Sequence, residues 1–272
     1  MNFEAGIGWE IADGIGRIVL SRPERANTLA LPVAYALAKA IDAAVASVPR
    51  VLLLSARGSI FCGGGDIDEL REAGPALGAL LDRILGVAHP AIQRLANAPF
   101  PVVAAVEGAI GGAGVGLALS ADFVLASDAM KLRTGYAAIG LSPDLGSSYF
   151  LARRIGPVRA KQWLMLSETI DAQTCLSAGV IDALYPDAEL AAAAEALVHR
   201  LAAAAPNSLA AIRTLCDGLP ERLLGQHLAC EHTLLRRCAD SANGLEGVRA
   251  FIERRAPNFI DSSHDASESR LR

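Results

Sequence analysis

Two glycine-rich loops could present backbone N–H groups to a ligand. Glycine tolerates positive φ and lets a ligand approach the bare backbone, and the N-terminus of a following helix attracts negative charge. A dinucleotide-binding loop is an alternative, but no βαβ unit with an acidic residue about 20 positions on follows clearly. Either loop alone could equally form a turn or a tight packing contact. Two such loops, each between a strand and a helix, favour a binding role. They are Phe61-Cys62-Gly63-Gly64-Gly65-Asp66-Ile67 and Gly111-Gly112-Ala113-Gly114-Val115-Gly116.

One acidic residue is a candidate proton carrier. Asp144 lies in the segment Leu-Ser-Pro-Asp-Leu-Gly, and an apolar pocket would raise its pKa towards the range useful for proton transfer. The same residues also predict a turn in which Asp144 caps the following helix. Spacing alone leaves both interpretations open.

Other polar residues favour structural roles. His227 and His232 are five positions apart and have no third ligand, so we expect no metal site. Ser147 and Ser148 follow Asp144, but no histidine is placed to complete a catalytic triad.

Glu107 is more typical of a surface acid at the end of a strand. The five cysteines form no CxxC pair and predict reduced thiols.

The elements around these residues predict an α/β fold. An Asp13-Gly14 turn joins two β-like runs, apolar runs typical of buried strands precede both loops, and sequence after Asp144 is almost wholly helical. His89, before Pro90, is interpreted as a helix-end residue. We predict a core over residues 1–200, a helical region over 201–260 and a disordered polar tail over 261–272. Strands are expected at residues 7–11, 15–20, 51–55, 102–106 and 123–126, and helices at 32–47 and 77–96.

Composition narrows the class of protein. The 272 residues carry a net charge of −4, with 52% hydrophobic and 20% charged residues. This composition is too hydrophobic for a fully disordered protein. The negative net charge is also unlike the excess of Lys and Arg in a nucleic-acid-binding protein. No uncharged apolar stretch approaches the ~20 residues of a membrane span, and the N-terminus has no basic region of a signal peptide. We therefore expect a cytoplasmic protein.

Five segments in order resemble the crotonase, or enoyl-CoA hydratase/isomerase, superfamily. The resemblance implies a spiral of repeated ββα units and a helical C-terminal region that mediates trimerisation, with trimers that can pair into hexamers. The segments are SRPERANTL (21–29), IFCGGGDIDEL (60–70), PVVAAVEGAIGGAGVGLALSADFVLAS (101–127), IGLSPDLGSSYFLARRIG (139–156) and EGVRAFIERRAPNF (246–259).

The resemblance also assigns chemistry to particular positions. It maps the oxyanion-hole donors, which stabilise the enolate oxygen of a thioester, onto the backbone amides of Gly63 and Ala113. The two glutamates that hydratases use fall on Gly116 and Tyr136, neither of which is a carboxylate. Asp144 matches the acid of double-bond isomerases, including the ring 1,2-epoxyphenylacetyl-CoA isomerases.

A third set of positions is implied to bind the coenzyme A part or the acyl part of the substrate. No cofactor is expected, because this coenzyme A is part of the substrate. Arg254 or Arg255, with Phe259, could reach the nucleotide. The implied binding positions are Arg22, Arg25, Ala26, Gly64, Gly65, Asp66, Ile67, Gly112 and Tyr136.

Three functions remain open at this point. The leading hypothesis is an enoyl-CoA isomerase in which Asp144 carries both proton steps. The second is an atypical hydratase in which Asp144 or Glu107 activates water. The third is a scaffold that binds coenzyme A without turnover. Other reactions of the superfamily also stay possible, because a fold does not fix a reaction.

Overall fold

A β-hairpin opens the chain. In the computed structural model, which describes residues 1–259, strands Ile7–Ala12 and Ile15–Leu20 pair antiparallel with Ala12 opposite Ile15. The two turn residues, Asp13 and Gly14, have φ of 52° and 74°, as a type I′ turn requires. The hairpin predicted from Asp-Gly is confirmed.

The strands and helices are numbered in chain order. The strands are β1 (Asn2–Glu4), β2 (Ile7–Ala12), β3 (Ile15–Leu20), β4 (Val51–Ala56), β5 (Ile60–Cys62), β6 (Val102–Val106), β7 (Ala109–Gly111), β8 (Phe123–Ser127), β9 (Lys131–Arg133), β10 (Ile170–Asp171) and β11 (Ala183–Tyr185). The helices are α1 (Leu31–Ser47), α2 (Ile67–Ala73), α3 (Leu77–Ala96), α4 (Ala113–Leu119), α5 (Ser147–Ile155), α6 (Pro157–Leu166), α7 (Ala172–Ala178), α8 (Asp187–Ala202), α9 (Pro206–Asp217), α10 (Leu224–Ala239) and α11 (Ala242–Glu253).

Two sheets organise the strands. The larger has the order β1-β2-β3-β4-β6-β8-β11, and its strands from β3 onward run parallel. The predicted runs 51–55, 102–106 and 123–126 are its central strands, and every residue of β6 is buried. Burial on both faces explains their continuous apolar sequence.

The sequence pattern does not reveal the smaller sheet. It has the order β10-β9-β7-β5, and two of its strands, β5 and β7, lead into the glycine loops. The expectation of an almost wholly helical chain after Asp144 is confirmed by α5 to α11, although two short strands, β10 and β11, also lie there. These strands have two or three residues, too few for alternation to show in a sequence.

Contacts divide the described chain into two compact units. The first contains Met1–Ala98 and Val102–Val198, and the second contains Pro99–Pro101 and the chain from His199 on. Both sheets belong to the first unit, while α9, α10 and α11 belong to the second. The predicted disordered tail lies outside the described residues. Within residues 1–259, no helix is long and apolar enough to cross a membrane.

Helix α3 has the bounds that the sequence predicts, but it contains Pro90. The prediction that His89 ends a helix is therefore wrong. Helical residues lie on both sides of the Pro90 ring, so the helix tolerates the loss of one backbone donor.

Helix α4 brings two distant segments together. All seven of its residues are buried. A Cβ atom placed on Gly114 would lie 2.4 Å from the carbonyl oxygen of Cys62, and one placed on Gly116 would lie 2.2 Å from that of Leu145. Backbone therefore packs directly on backbone at both points, which only glycine permits. This packing sets the first loop and the Asp144 turn against the same short helix.

Candidate active site

A cavity of about 510 Å³ lies in the first unit, where the two glycine loops meet α2, α3 and the segment after β9. Its wall is mainly apolar, with Ile67 and Leu70 from α2 and Leu81 and Ile84 from α3. Among the described residues that line it, Asp144 is the only carboxylate. A mainly apolar cavity with few polar groups is typical of a small-molecule site.

Side-chain hydrogen bonds fix the first loop at Asp66. Its Oδ1 accepts from the backbone N–H of Glu69 at 3.3 Å, which confirms the predicted helix cap. The Thr28 hydroxyl donates to Oδ2 at 3.0 Å, and Arg25 donates to Oδ1 at 3.0 Å. Burial by itself raises the pKa of Asp66, but these three donors outweigh it and lower the pKa. Asp66 is therefore a charged anchor of the loop.

The expected oxyanion donor in this loop needs correction. The N–H of Gly63 already donates to the carbonyl oxygen of Ala26 at 2.9 Å. Gly65, two residues on, also lines the cavity, and its N–H has no acceptor within the described chain. Between them, Gly64 has a φ of 99°, which turns the backbone. The geometry therefore offers Gly65, rather than Gly63, as the donor from this loop.

The second loop offers Ala113. Its N–H is at the first position of α4 and has no acceptor within residues 1–259, while the neighbouring N–H of Gly112 donates to Arg133. The loops touch, because a Cβ on Gly64 would lie 2.9 Å from the carbonyl oxygen of Gly111. Gly65 and Ala113 thus line one cavity with unengaged amides. Such a pair can stabilise a developing oxyanion.

Asp144 is held by a tyrosine. The Tyr136 hydroxyl lies 2.5 Å from Oδ1 of Asp144 and 2.7 Å from Oγ of Ser147. The Ser147 hydroxyl also reaches the carbonyl oxygen of Asp144. No hydrogen bond within the described chain reaches Oδ2 of Asp144. The carboxylate is therefore tied through one oxygen and open at the other.

Burial sets the protonation behaviour of this cluster. It raises the pKa of Asp144 above the usual range, against the opposing effects of the Tyr136 hydrogen bond and of His89. Burial, then the charge of Asp144, raises the pKa of Tyr136, so the phenol stays protonated. Burial also raises the pKa of Cys62 to about 12, which leaves this thiol inert as a nucleophile.

Sequence reasoning missed two residues of the cluster. Nε2 of His89, on α3, accepts the backbone N–H of Leu145 at 3.2 Å and so supports the turn that carries Asp144. For Ser147 the sequence raises only the role of a triad nucleophile, which it excludes for want of a histidine. The 56 positions between His89 and Leu145 hide the first contact from any local pattern.

Several predicted binding residues do not line the cavity. Arg25 forms ion pairs with Asp66 and Asp68, so its charge is already balanced. One N–H of the Arg22 side chain lies 3.5 Å from the Thr28 carbonyl oxygen. Ala26 accepts the Gly63 N–H. A coenzyme A role for these residues, and for Gly64 and Asp66, stays a prediction; Gly112, Ile67 and Tyr136 do line the cavity.

Two further candidates lie outside the cavity wall. Glu107 is exposed. Arg255 forms ion pairs with Glu246 and Glu253, so its charge is also balanced. No group of three or more His, Cys, Asp or Glu side chains in the described range could hold a metal ion.

The sequence model of the family described as "Enoyl-CoA hydratase/isomerase" matches residues 10–262. The chain belongs to this family. "Probable enoyl-CoA hydratase" of Rhodobacter capsulatus is 34% identical over 254 residues, which cover 93% of this chain and 97% of that protein. "1,2-epoxyphenylacetyl-CoA isomerase" of Escherichia coli is 32% identical over 254 residues, which cover 92% of this chain and 96% of that protein. The crystal structure of an enoyl-CoA hydratase from Polaromonas matches with a TM-score of 0.88 and 32% identity. The match covers 93% of this chain and 99% of that one.

Membership of the enoyl-CoA hydratase/isomerase family confirms the resemblance and the crotonase-like α/β fold predicted from the sequence. The chain is an acyl-CoA enzyme of this family. Its relatives carry the names of both hydratases and isomerases, so family membership alone does not determine the reaction.

Proposed function

We propose that this protein is an enoyl-CoA isomerase that moves a double bond into conjugation with the thioester. The observation that carries the proposal is a single half-buried carboxylate, Asp144, on a cavity that two unengaged amides, those of Gly65 and Ala113, also line. An isomerase needs one group to remove a proton and return it two carbons away.

The steps balance with these groups. The ionised Asp144 removes a proton from C2 of a 3-enoyl-CoA, and the electron pair spreads over the dienolate to the thioester oxygen. The amides of Gly65 and Ala113 donate to that oxygen; such donors are worth about 2.7–4 kcal/mol each. Asp144 then returns the proton to C4, which leaves the double bond between C2 and C3. Acid–base chemistry of this kind needs no cofactor, since the coenzyme A is part of the substrate.

Sterics support this choice over hydration by two carboxylates. Gly116 stands where the resemblance places one hydratase glutamate, and a side chain there would collide with the Leu145 backbone. Tyr136 stands at the second position, and its protonated phenol cannot act as a base. The same close packing that excludes a carboxylate at residue 116 seats the turn that supplies Asp144.

The test uses two substrates. With 3-hexenoyl-CoA, the absorbance of the conjugated enoyl-thioester should rise, and with crotonyl-CoA it should stay constant. Asp144→Asn should abolish the rise while coenzyme A binding survives, because the amide cannot accept a proton at a useful pKa. Full activity of this variant would overturn the assignment of Asp144.

Hydration is the alternative that the name of the Rhodobacter relative favours. In that case crotonyl-CoA would lose absorbance as water adds to it, and Asp144 would be the general base. Binding of acyl-CoA without turnover of either substrate would instead favour a scaffold.

A further inference from the structure

Three oxygen atoms form a connected chain beside the open oxygen of Asp144. The Tyr136 hydroxyl lies 2.5 Å from Oδ1 of Asp144 and 2.7 Å from Oγ of Ser147, so it links the two in one hydrogen-bonded series. A separation of 2.5 Å is in the range of about 2.5–2.7 Å that a hydroxyl makes with an ionised carboxylate. Tyr136 and Ser147 are both buried, at 6% and 0% exposure, so water does not compete for these contacts.

The hydroxyl of Ser147 has two acceptors but only one hydrogen. It can donate to the oxygen of Tyr136 or to the carbonyl oxygen of Asp144. That carbonyl already accepts the backbone N–H of Ser147 at 2.8 Å, so it is not orphaned when the hydroxyl turns away. When Asp144 is charged, both hydroxyl dipoles can point towards it; when Asp144 is neutral, the Ser147 hydrogen can return to the carbonyl.

We infer that Tyr136 and Ser147 are positioning residues for Asp144: the Tyr136 hydroxyl holds Oδ1 so that Oδ2 meets the substrate, and the Ser147 hydrogen follows the charge of the carboxylate. This inference rests on the proposed isomerase function. Tyr136 then acts as a hydrogen-bond donor and not as a base, and its hydrogen bond keeps the half-buried carboxylate of Asp144 ionisable. No heavy atom has to move when the proton arrives or leaves, which keeps the reorganisation small.

The titratable groups that face Asp144 come from three elements. Tyr136 directly precedes the 3₁₀ turn Ala137–Ile139, His89 lies on α3 and Cys62 ends β5. The thiol of Cys62 stays neutral across the working range, and Nε2 of His89 serves as an acceptor for the Leu145 N–H. Tyr136 is thus the group that bonds directly to the carboxylate.

Removing single hydroxyls tests the inference. Tyr136→Phe keeps the ring and should lower kcat by about 10- to 100-fold, the usual value of a hydrogen bond to a charged group, with KM little changed. Without this donor the pKa of Asp144 rises, so the acid limb of the pH profile of kcat/KM should move to higher pH. Ser147→Ala should have a smaller effect in the same direction.

Non-additivity and controls separate positioning from general destabilisation. Because Ser147 acts through Tyr136, the double variant should be about as slow as Tyr136→Phe alone. Ser148 and Tyr149 are exposed neighbours of Ser147 on α5. The control variants Ser148→Ala and Tyr149→Phe should therefore have the kcat and pH profile of the unchanged protein. An unmoved pH profile in Tyr136→Phe, or effects that multiply in the double variant, would overturn the inference.

A second measurement does not depend on turnover. Carbon NMR of protein labelled at the aspartate carboxyls, with Asp144→Asn for assignment, should show a higher Asp144 pKa in Tyr136→Phe than in the unchanged protein. If the unchanged protein isomerises nothing, the proposed function fails while this titration still tests the contact. If it isomerises but Tyr136→Phe leaves both kcat and the titration unchanged, only the inference fails.

Discussion

Gly116→Ala should harm this protein although alanine is the better helix former. A Cβ at residue 116 would lie 2.2 Å from the carbonyl oxygen of Leu145 and 3.0 Å from the backbone N of Ser147. Contacts between heavy atoms are favourable at about 3.5 Å, so one backbone segment has to retreat by roughly 1 Å. Leu145 is fully buried and already has a φ of 44°. Its segment therefore has little freedom to adapt.

The magnitude follows from two opposing effects. Overpacking a core costs about 1–3 kcal/mol, and more when the neighbour is stiff, whereas glycine to alanine inside a helix gains about 1 kcal/mol. We expect a net loss of about 2 kcal/mol in the free energy of unfolding, at the upper end because the neighbour is backbone. Since the displaced segment carries Asp144, a shift of about 1 Å should also lower kcat about 100-fold.

Gly86→Ala is the matched control. Gly86 also lies inside a helix, α3, but a Cβ there meets no atom within 4 Å. This variant should gain up to about 1 kcal/mol and keep its activity. Denaturant unfolding and the 3-hexenoyl-CoA assay measure both variants. If Gly116→Ala proved as stable and as active as Gly86→Ala, the close packing of α4 on the Asp144 turn would be refuted.

Three other substitutions test single groups. Ala113→Pro removes the proposed oxyanion N–H at the first helical position, where proline is tolerated, so kcat should fall about 10²–10³-fold with little change in the unfolding curve; unchanged kcat would exclude this amide. Asp144→Asn should raise the free energy of unfolding, because the pKa of Asp144 is raised by burial. The gain should be negligible below the ordinary aspartate pKa of about 3.9 and should grow as pH rises through the folded-state value; a gain equal at all pH values would contradict this reasoning. Asp66→Ala should lose about 1 kcal/mol for the helix cap, a loss that shrinks in acid because the lowered pKa of Asp66 means its stabilisation disappears as that carboxylate protonates; a loss independent of pH would speak against the charged anchor.

Local signals in the sequence predict much of the first unit. The Asp13-Gly14 turn, the continuous apolar run of β6 and the cap at Asp66 each act through neighbours only a few residues away, and each is found where it is predicted. The bounds of α3 follow from composition over a long window, which even Pro90 does not interrupt. Such features need no knowledge of the rest of the fold.

The donor in the first loop shows what a sequence hides. Gly63, Gly64 and Gly65 are chemically identical, and only the φ of 99° at Gly64 decides which N–H turns to Ala26 and which stays on the cavity side. Pairing of β5 with β7 fixes that backbone path, and those strands are too short to be predicted. The contact of His89 with Leu145 is likewise set by the packing of α3 and not by local sequence.

The residues at positions 116 and 136 favour the proposed isomerisation over hydration. A glycine at residue 116 leaves α4 without a side chain at that point, which lets the Leu145 backbone approach within contact distance and seats Asp144 on the cavity wall. A glutamate at 116 would need the volume that this backbone fills, so the two acids exclude each other on steric grounds. Tyr136 has a matching effect, because a second carboxylate beside Asp144 would repel it, whereas the phenol of Tyr136 donates to Oδ1 of Asp144 at 2.5 Å. One carboxylate with one donor suits a proton that is removed and returned, and it lacks the second carboxylate that activation of water would use.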